Sequence, residues 1–284
     1  MLQIAPSAYR RHVARLRNPE LCSTRAKRDA VLMPEIQRVW DFNLQVYGAD
    51  KVWRQMNREQ IHVARCTVER LMQNMGLQGV RRGRKKVWTT TPDPAQPRPP
   101  DLVKRNFVAT RPNQLWVSDF TYVSTWQGFT YVAFVVDVFS RYIVGWRVSS
   151  TMHTDFVLDA LEQALYARQP DRGNLIHHSD RGSQYLSIRY SERLDEAGIA
   201  PSVGSKGDSY DNAMAETING LYKAEVIHRE NAWKSREQLE LATLTWVAWF
   251  NNHRLLEPIG YIPPAEAEAQ YYRQLEKAPE EETT

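Results

Sequence analysis

Three carboxylates, Asp119, Asp180 and Glu216, are the residues of this sequence whose type and setting could do chemistry. Asp119 interrupts the strand-like run LWVSDFTYV, Asp180 comes just after the short apolar segment NLIHH, and Glu216 lies in the helical stretch AMAETINGLYK, with 35 residues between the last two acids. An ionised Asp in a central strand is costly to bury unless something compensates it, and a divalent cation is a natural compensator. Carboxylates brought together from separate elements are also the ligands that phosphoryl transfer between nucleic-acid strands requires, because that reaction uses hard cations held by oxygens. Each acid alone has a plain structural explanation: a hydrogen-bonded side chain at a strand end, a turn-forming Asp before Arg181 and Gly182, and a solvated helix residue. The combination favours chemistry.

The elements that must position these acids follow from periodicity. LWVSDFTYV, FTYVAFVVDV and YIVGWRV are rich in β-branched and aromatic residues and separated by short turns, which predicts three consecutive antiparallel strands. Residues 154–168 form an amphipathic helix pattern, 174–178 a short buried strand, 185–197 a helix, 199–203 a fifth strand, 211–226 a helix, and 235–251 a last helix with an apolar stripe. The order βββαβαβαα is that of a ribonuclease-H-like α/β core, expected over residues 111–272. Asp137 and Asp155 fall before a turn and in a helix's first turn, so both read as structural acids. His177 and His178 resemble a zinc pair only superficially.

The charge of the chain is unevenly divided. Residues 1–110 hold 21 Lys and Arg against 9 Asp and Glu, while the remainder holds 16 against 24. A basic arm facing a polyanion and an acidic half in need of cations would produce that split. Residues 1–32 read as a basic helical segment with a helix over 7–17. Residues 33–80 read as a helix-turn-helix domain: a helix from Pro34 to Val46, one from Asp50 to Glu59, a five-residue turn, and one from Arg65 to Met75, whose outer face presents Arg65 and Arg70 to DNA. A basic, proline-rich linker over 81–110 follows, in which Arg81, Arg82, Arg84, Lys85 and Lys86 are suited to a phosphate backbone. Residues 273–284 form an acidic tail. Cys22 and Cys66 support neither a disulfide framework nor a zinc site, and the N-terminal residues lack the apolar core of a secretory signal. The expectation is a protein of a reducing, cytoplasmic compartment, associated with the nucleoid.

WVSDFTYV, HSDRGSQY and DNAMAETINGLYK closely resemble the catalytic core of the DDE transposases and retroviral integrases. Over nearly its full length the chain resembles, more narrowly, the second-frame protein (OrfB) of bacterial insertion sequences of the insertion sequence three family. The resemblance implies that Asp119, Asp180 and Glu216 are the catalytic, metal-binding triad for two Mg²⁺ ions, with Mn²⁺ as a substitute. It implies that Lys223 contacts the element's end; seven positions after Glu216, it shares a helix face with that residue. Asn212, one turn before Glu216, is a further candidate for a polar contact at the site or with DNA. The implied reaction is nicking at the terminal inverted repeats followed by attack of the freed 3′-OH on another phosphodiester, without a covalent enzyme intermediate. The implied partners are DNA, further copies of the chain on DNA, and the upstream-frame protein (OrfA), joined as a frameshift fusion. A structure-selective nuclease of the same fold and a DNA-binding regulator derived from a transposase are the alternatives.

Overall fold

The computed structural model describes residues 5–81, 100–103, 107–180, 184–185, 187–203, 213–230 and 232–277. The chain folds as two compact units, Met1–Val80 and Arg81–Thr284. No described helix is long and apolar enough to cross a membrane.

The first unit is helical: α1 (Pro6–Arg17), α2 (Thr24–Phe42), α3 (Ala49–Arg58) and α4 (Arg65–Asn74). The helix expected to begin at Pro34 begins ten residues earlier, at Thr24, and so runs through the boundary expected between residues 32 and 33. Ser23 supplies the N-cap, its side chain accepting from the Ala26 N–H, and Pro34 lies inside the helix. Proline at that position removes one backbone donor. The helix persists because Leu32, Ile36 and Val39 on either side are buried in the unit's core. Its end also differs: it stops at Phe42 rather than Val46, since Leu44 and Gln45 take left-handed backbone conformations. The turn between α3 and α4 is fixed by the Trp53 indole donating to the Val63 carbonyl at 2.8 Å. On α4, Val68, Leu71 and Met72 face the core, as their spacing predicts.

In the second unit a five-stranded sheet has the order β3-β2-β1-β4-β5. Its strands are β1 (Leu115–Thr125), β2 (Gly128–Asp137), β3 (Ile143–Ser149), β4 (Ile176–Ser179) and β5 (Ala200–Val203). The first three pair antiparallel, while β4 joins β1, and β5 joins β4, in parallel. This is the expected ribonuclease-H-like arrangement. Helices α5 (Thr154–Arg168), α6 (Ile188–Glu196), α7 (Ala213–Glu225) and α8 (Arg236–Asn252) flank it. Alternation along β2 assigns the faces: Ala133 and Val135 pack with Phe156, Ala160 and Leu161 of α5, whereas Phe134 meets Tyr222 of α7 and Trp246 of α8. On the α5 side the approach is close enough that a Cβ on Gly145 would lie 2.1 Å from the Ala160 carbonyl oxygen.

A helix not foreseen, α9 (Pro264–Lys277), extends into the span expected as an acidic tail. It is anchored by Glu268, which accepts from both terminal nitrogens of Arg168 at 2.7 and 2.9 Å and from the Ser140 hydroxyl at 2.6 Å. Asp137 next to it is structural, as expected: its carboxylate accepts from the backbone N–H groups of Asn113, Phe139 and Ser140.

Helix α7 is fixed by its C-terminal half. The Tyr222 hydroxyl bonds the Thr243 hydroxyl at 2.7 Å. Glu225, buried, accepts from the Trp246 indole at 3.0 Å and forms an ion pair with the equally buried Arg254. Removing one partner of such a pair strands the other charge away from water, at about 3–5 kcal/mol. Arg254→Met is therefore expected to lower the thermal midpoint of unfolding by several degrees, whereas a surface control such as Arg236→Met should leave it within a degree or so; an unchanged midpoint in Arg254→Met would contradict this anchoring of α7.

Candidate active site

The site is built at the point where β4 ends. β1 and β4 run parallel in register, with Ser118 beside Ser179, so the next residues along the two chains are Asp119 and Asp180. Parallel neighbours one step beyond a paired position emerge side by side, about 5 Å apart at the backbone. Asp119 also pairs with Phe134 of β2, which places it on the sheet face covered by α7. Helix α7 carries Glu216 in its first turn, Asn219 one turn on, and Lys223 in its last turn.

The electrostatics follow from this crowding. The pKa of Asp119 is raised well above the usual carboxylate range, by burial first and then by the negative charge of Asp180, with a smaller contribution in the same direction from Glu216. Two hydrogen bonds oppose the shift: the Phe120 N–H donates to Oδ1 at 2.8 Å and the Asn219 amide donates to Oδ2 at 2.8 Å. Lys223, half-buried, has its pKa lowered by burial, and the charge of Asp119 works against that lowering. The three acids and the lysine thus share one electrostatic environment. Asp180 is half-buried and Glu216 is exposed. Among the described residues no group of three or more His, Cys, Asp or Glu side chains is gathered closely enough to hold a metal ion by itself.

Among the described residues, two polar atoms beside the acids lack partners. The Tyr185 hydroxyl is buried without a hydrogen bond, and both Asp119 and Asp180 act on it electrostatically. The Oδ1 atom of Asn219 is likewise buried and unbonded. Such atoms are costly to leave unsatisfied, by about 1–3 kcal/mol each. Oxygen donors of this kind, a raised Asp pKa and unpaired groups around it fit a hard cation that carries its own water into the site.

Tyr185 and Asn219 escaped the sequence reading. Asn219 had a signal, since it stands three positions after Glu216 and so shares its helix face. Tyr185 had none: the stretch was read as the start of a helix, but α6 begins at Ile188 behind the N-cap Ser187, leaving the Tyr185 ring packed edge-on against Tyr190. His177 and His178 are structural. His177 bonds the Ser118 hydroxyl at 2.7 Å and the Tyr190 hydroxyl at 3.1 Å, and burial lowers its pKa to about 3. His178 bonds the Ser202 hydroxyl at 2.9 Å.

The remaining DNA-contact candidates divide. In the first unit, Arg65 is exposed, with Asp50 3.9 Å away, whereas Arg70 is held by Asp29 at 2.7 Å. In the second unit, Arg81 is exposed. Asn212, Arg82, Arg84, Lys85 and Lys86 lie outside the described residues.

Comparison with known proteins agrees with this architecture. Residues 27–85 match the HTH-like domain family, and residues 109–209 and 197–264 match two families described as integrase core domain. The transposase for insertion sequence element IS629 of Shigella sonnei is 64% identical over 271 residues, covering 95% of this chain and 90% of that protein. The transposase for IS3411 of Escherichia coli is 61% identical over 169 residues, covering 60% and 70%. The transposase for IS904 of Lactococcus lactis is 34% identical over 239 residues, covering 84% and 93%. Joining an HTH-like domain to an integrase core, with relatives of this identity along almost its whole length, the chain belongs to the insertion-sequence transposases of the insertion sequence three family.

Proposed function

We propose that the chain nicks DNA at the ends of its insertion sequence and joins the freed 3′-OH to a target phosphodiester, with Asp119, Asp180 and Glu216 holding two Mg²⁺ ions, replaceable by Mn²⁺. The observation that carries this reading is the register of β1 and β4, which sets Asp119 beside Asp180 under the helix bearing Glu216. Bound at these carboxylates, divalent ions supply Lewis acidity, making water or a 3′-OH a better nucleophile and offsetting charge on the leaving oxygen.

The chain's own residues do the rest. Asn219 fixes the orientation of the Asp119 carboxylate and, with the Phe120 N–H, favours its ionised form. Lys223, beside Asp119, is placed to hold a backbone phosphate of the element's end. The buried Tyr185 ring, near Asp119 and Asp180, screens one side of the site from water. The helix-turn-helix, through Arg65 and Arg70, and the basic segment beginning at Arg81, with Arg82, Arg84, Lys85 and Lys86, would bind the terminal repeats. Asn212, just ahead of α7, would contribute a polar contact. The resemblance adds three partners or settings to the proposal: further copies of the chain on DNA, the upstream-frame protein as a frameshift fusion, and the bacterial cytoplasm. A nuclease that stops at hydrolysis would use the same carboxylates, and strand transfer from pre-nicked ends separates the two.

The direct test is incubation of the purified chain, and of its fusion to the upstream protein, with the element's own ends and Mg²⁺ or Mn²⁺, with products resolved on a denaturing gel. Asp180→Asn and Glu216→Gln are expected to abolish nicking and strand transfer together while leaving DNA affinity within about twofold. Strand transfer near the unmutated rate in either variant would remove that residue from the site.

Asp119 yields a second expectation, this one about stability. Its pKa is raised in the folded chain, so the protonated form stabilises the fold fully at low pH, and that contribution is lost as pH rises through the folded pKa. Metal-free chain should therefore melt at a lower temperature at pH 8 than near pH 5 in part because of this group, and Asp119→Asn should raise the midpoint at pH 8 while abolishing activity. A midpoint at pH 8 that the substitution lowers would contradict the assignment of a charge disfavoured by burial and by Asp180.

A further inference from the structure

The hairpin that leads away from the site carries aromatic rings that the reaction does not use. β1 ends at Thr125 and β2 begins at Gly128, so Trp126 and Gln127 form the tip. This tip is fixed: the Thr125 hydroxyl donates to the Gly128 carbonyl at 2.8 Å, and the Trp126 N–H donates to the carbonyl of the buried Trp233 at 2.9 Å. Yet the Trp126 side chain is left 72% exposed, and Phe129 57% exposed. Phe129 lies opposite Ser124 and meets the Tyr122 ring edge-on at 5.5 Å. Single exposed apolar residues are ordinary on protein surfaces. What distinguishes these is that a lysine accompanies each end of the row: the Lys223 ammonium is 5.6 Å from the Tyr122 ring, and that of Lys234 is 5.9 Å from the Trp126 ring.

Exposed rings interleaved with ammonium groups are what an unpaired nucleic-acid strand requires, stacking its bases and neutralising its phosphates. An apolar protein partner would have to cover both ammonium groups, which makes it the poorer fit. The row also starts near the site, because Lys223 shares α7 with Glu216 and with Asn219, whose amide bonds Asp119, and it runs along β1 from Tyr122 to the tip, roughly 13 Å, enough for two or three nucleotides. Resting on the proposed function above, we propose that the β1–β2 hairpin is a stacking platform for unpaired DNA adjoining the scissile phosphate. Trp126 and Phe129 take bases, and Lys223 and Lys234 take phosphates.

The test uses the full chain and fluorescently labelled oligonucleotides read by anisotropy: the element's end as a fully paired duplex, and the same duplex with its last few base pairs mismatched. The unmodified chain is expected to bind the mismatched end about tenfold more tightly, and Trp126→Ala to lose most of that preference. Lys234→Gln should reduce the slope of log affinity against log salt on the mismatched end by about one. Thermal melting of each variant checks the fold, and Phe129→Ala provides a second ring deletion should Trp126→Ala prove unstable. No preference in the unmodified chain, or full preference retained by both ring deletions, would overturn the platform. So would a change in sedimentation behaviour of Trp126→Ala with its DNA preference intact, which would make the hairpin an interface between copies. Metal-dependent nicking of the paired end by the unmodified chain is scored in parallel; its failure counts against the proposed function, whereas nicking without a preference counts against the platform alone.

Discussion

One carboxylate, Asp119, is held where burial disfavours its charge, and the rest of the second unit can be understood as what makes that arrangement tolerable. Asp119 sits in the middle strand of the sheet, beside Asp180 by virtue of a parallel register, with Glu216 contributing from the covering helix. Burial and like charge both push Asp119 toward its neutral form, and two hydrogen bonds resist. A fold selected for stability alone would place an apolar residue here, as it does at the nearby positions Val117 and Val123. Under the proposed function, an acid maintained against that pressure is the ligand of a cation.

Holding such a site open requires rigid walls. The sheet supplies one, pinned by α5 on its far face at the close approach of Gly145 and Ala160. Helix α7 supplies the other, secured at its C-terminal end by Tyr222, Glu225, Trp246 and Arg254. The unbonded Tyr185 hydroxyl and Asn219 oxygen belong to the same logic, since groups awaiting a ligand are left unsatisfied without it.

Much of this was legible in the sequence because the relevant signals are local. Val, Ile, Tyr and Phe at high density marked β1, β2 and β3, and the 3.6-residue period marked α5 to within its observed ends. The triad stood out because an acid in LWVSDFTYV contradicts its own surroundings. What escaped depends on distant partners. Pro34 looked like a helix start, and only the buried residues on both sides of it explain why α2 runs through. Residues 273–277 read as the start of an acidic tail, and it is the contacts of Glu268 with Arg168 and Ser140, roughly a hundred or more positions away in the chain, that anchor the helix running into them. Nothing local announced the ion pair of Arg70 with Asp29. Asn219 and Tyr185 gain meaning only when β1, β4 and α7 converge.

The central claim is that Asp119, Asp180 and Glu216 hold the ions that the proposed reaction needs. Anomalous scattering from crystals of the chain grown with Mn²⁺ and an element end tests it most directly. The account predicts anomalous peaks within coordination distance of the Asp119 and Asp180 carboxylates, with Glu216 reaching one of them, and their loss in Asp119→Asn crystals. Mn²⁺ bound elsewhere, with all three carboxylates unliganded under conditions in which the chain cleaves DNA, would contradict it.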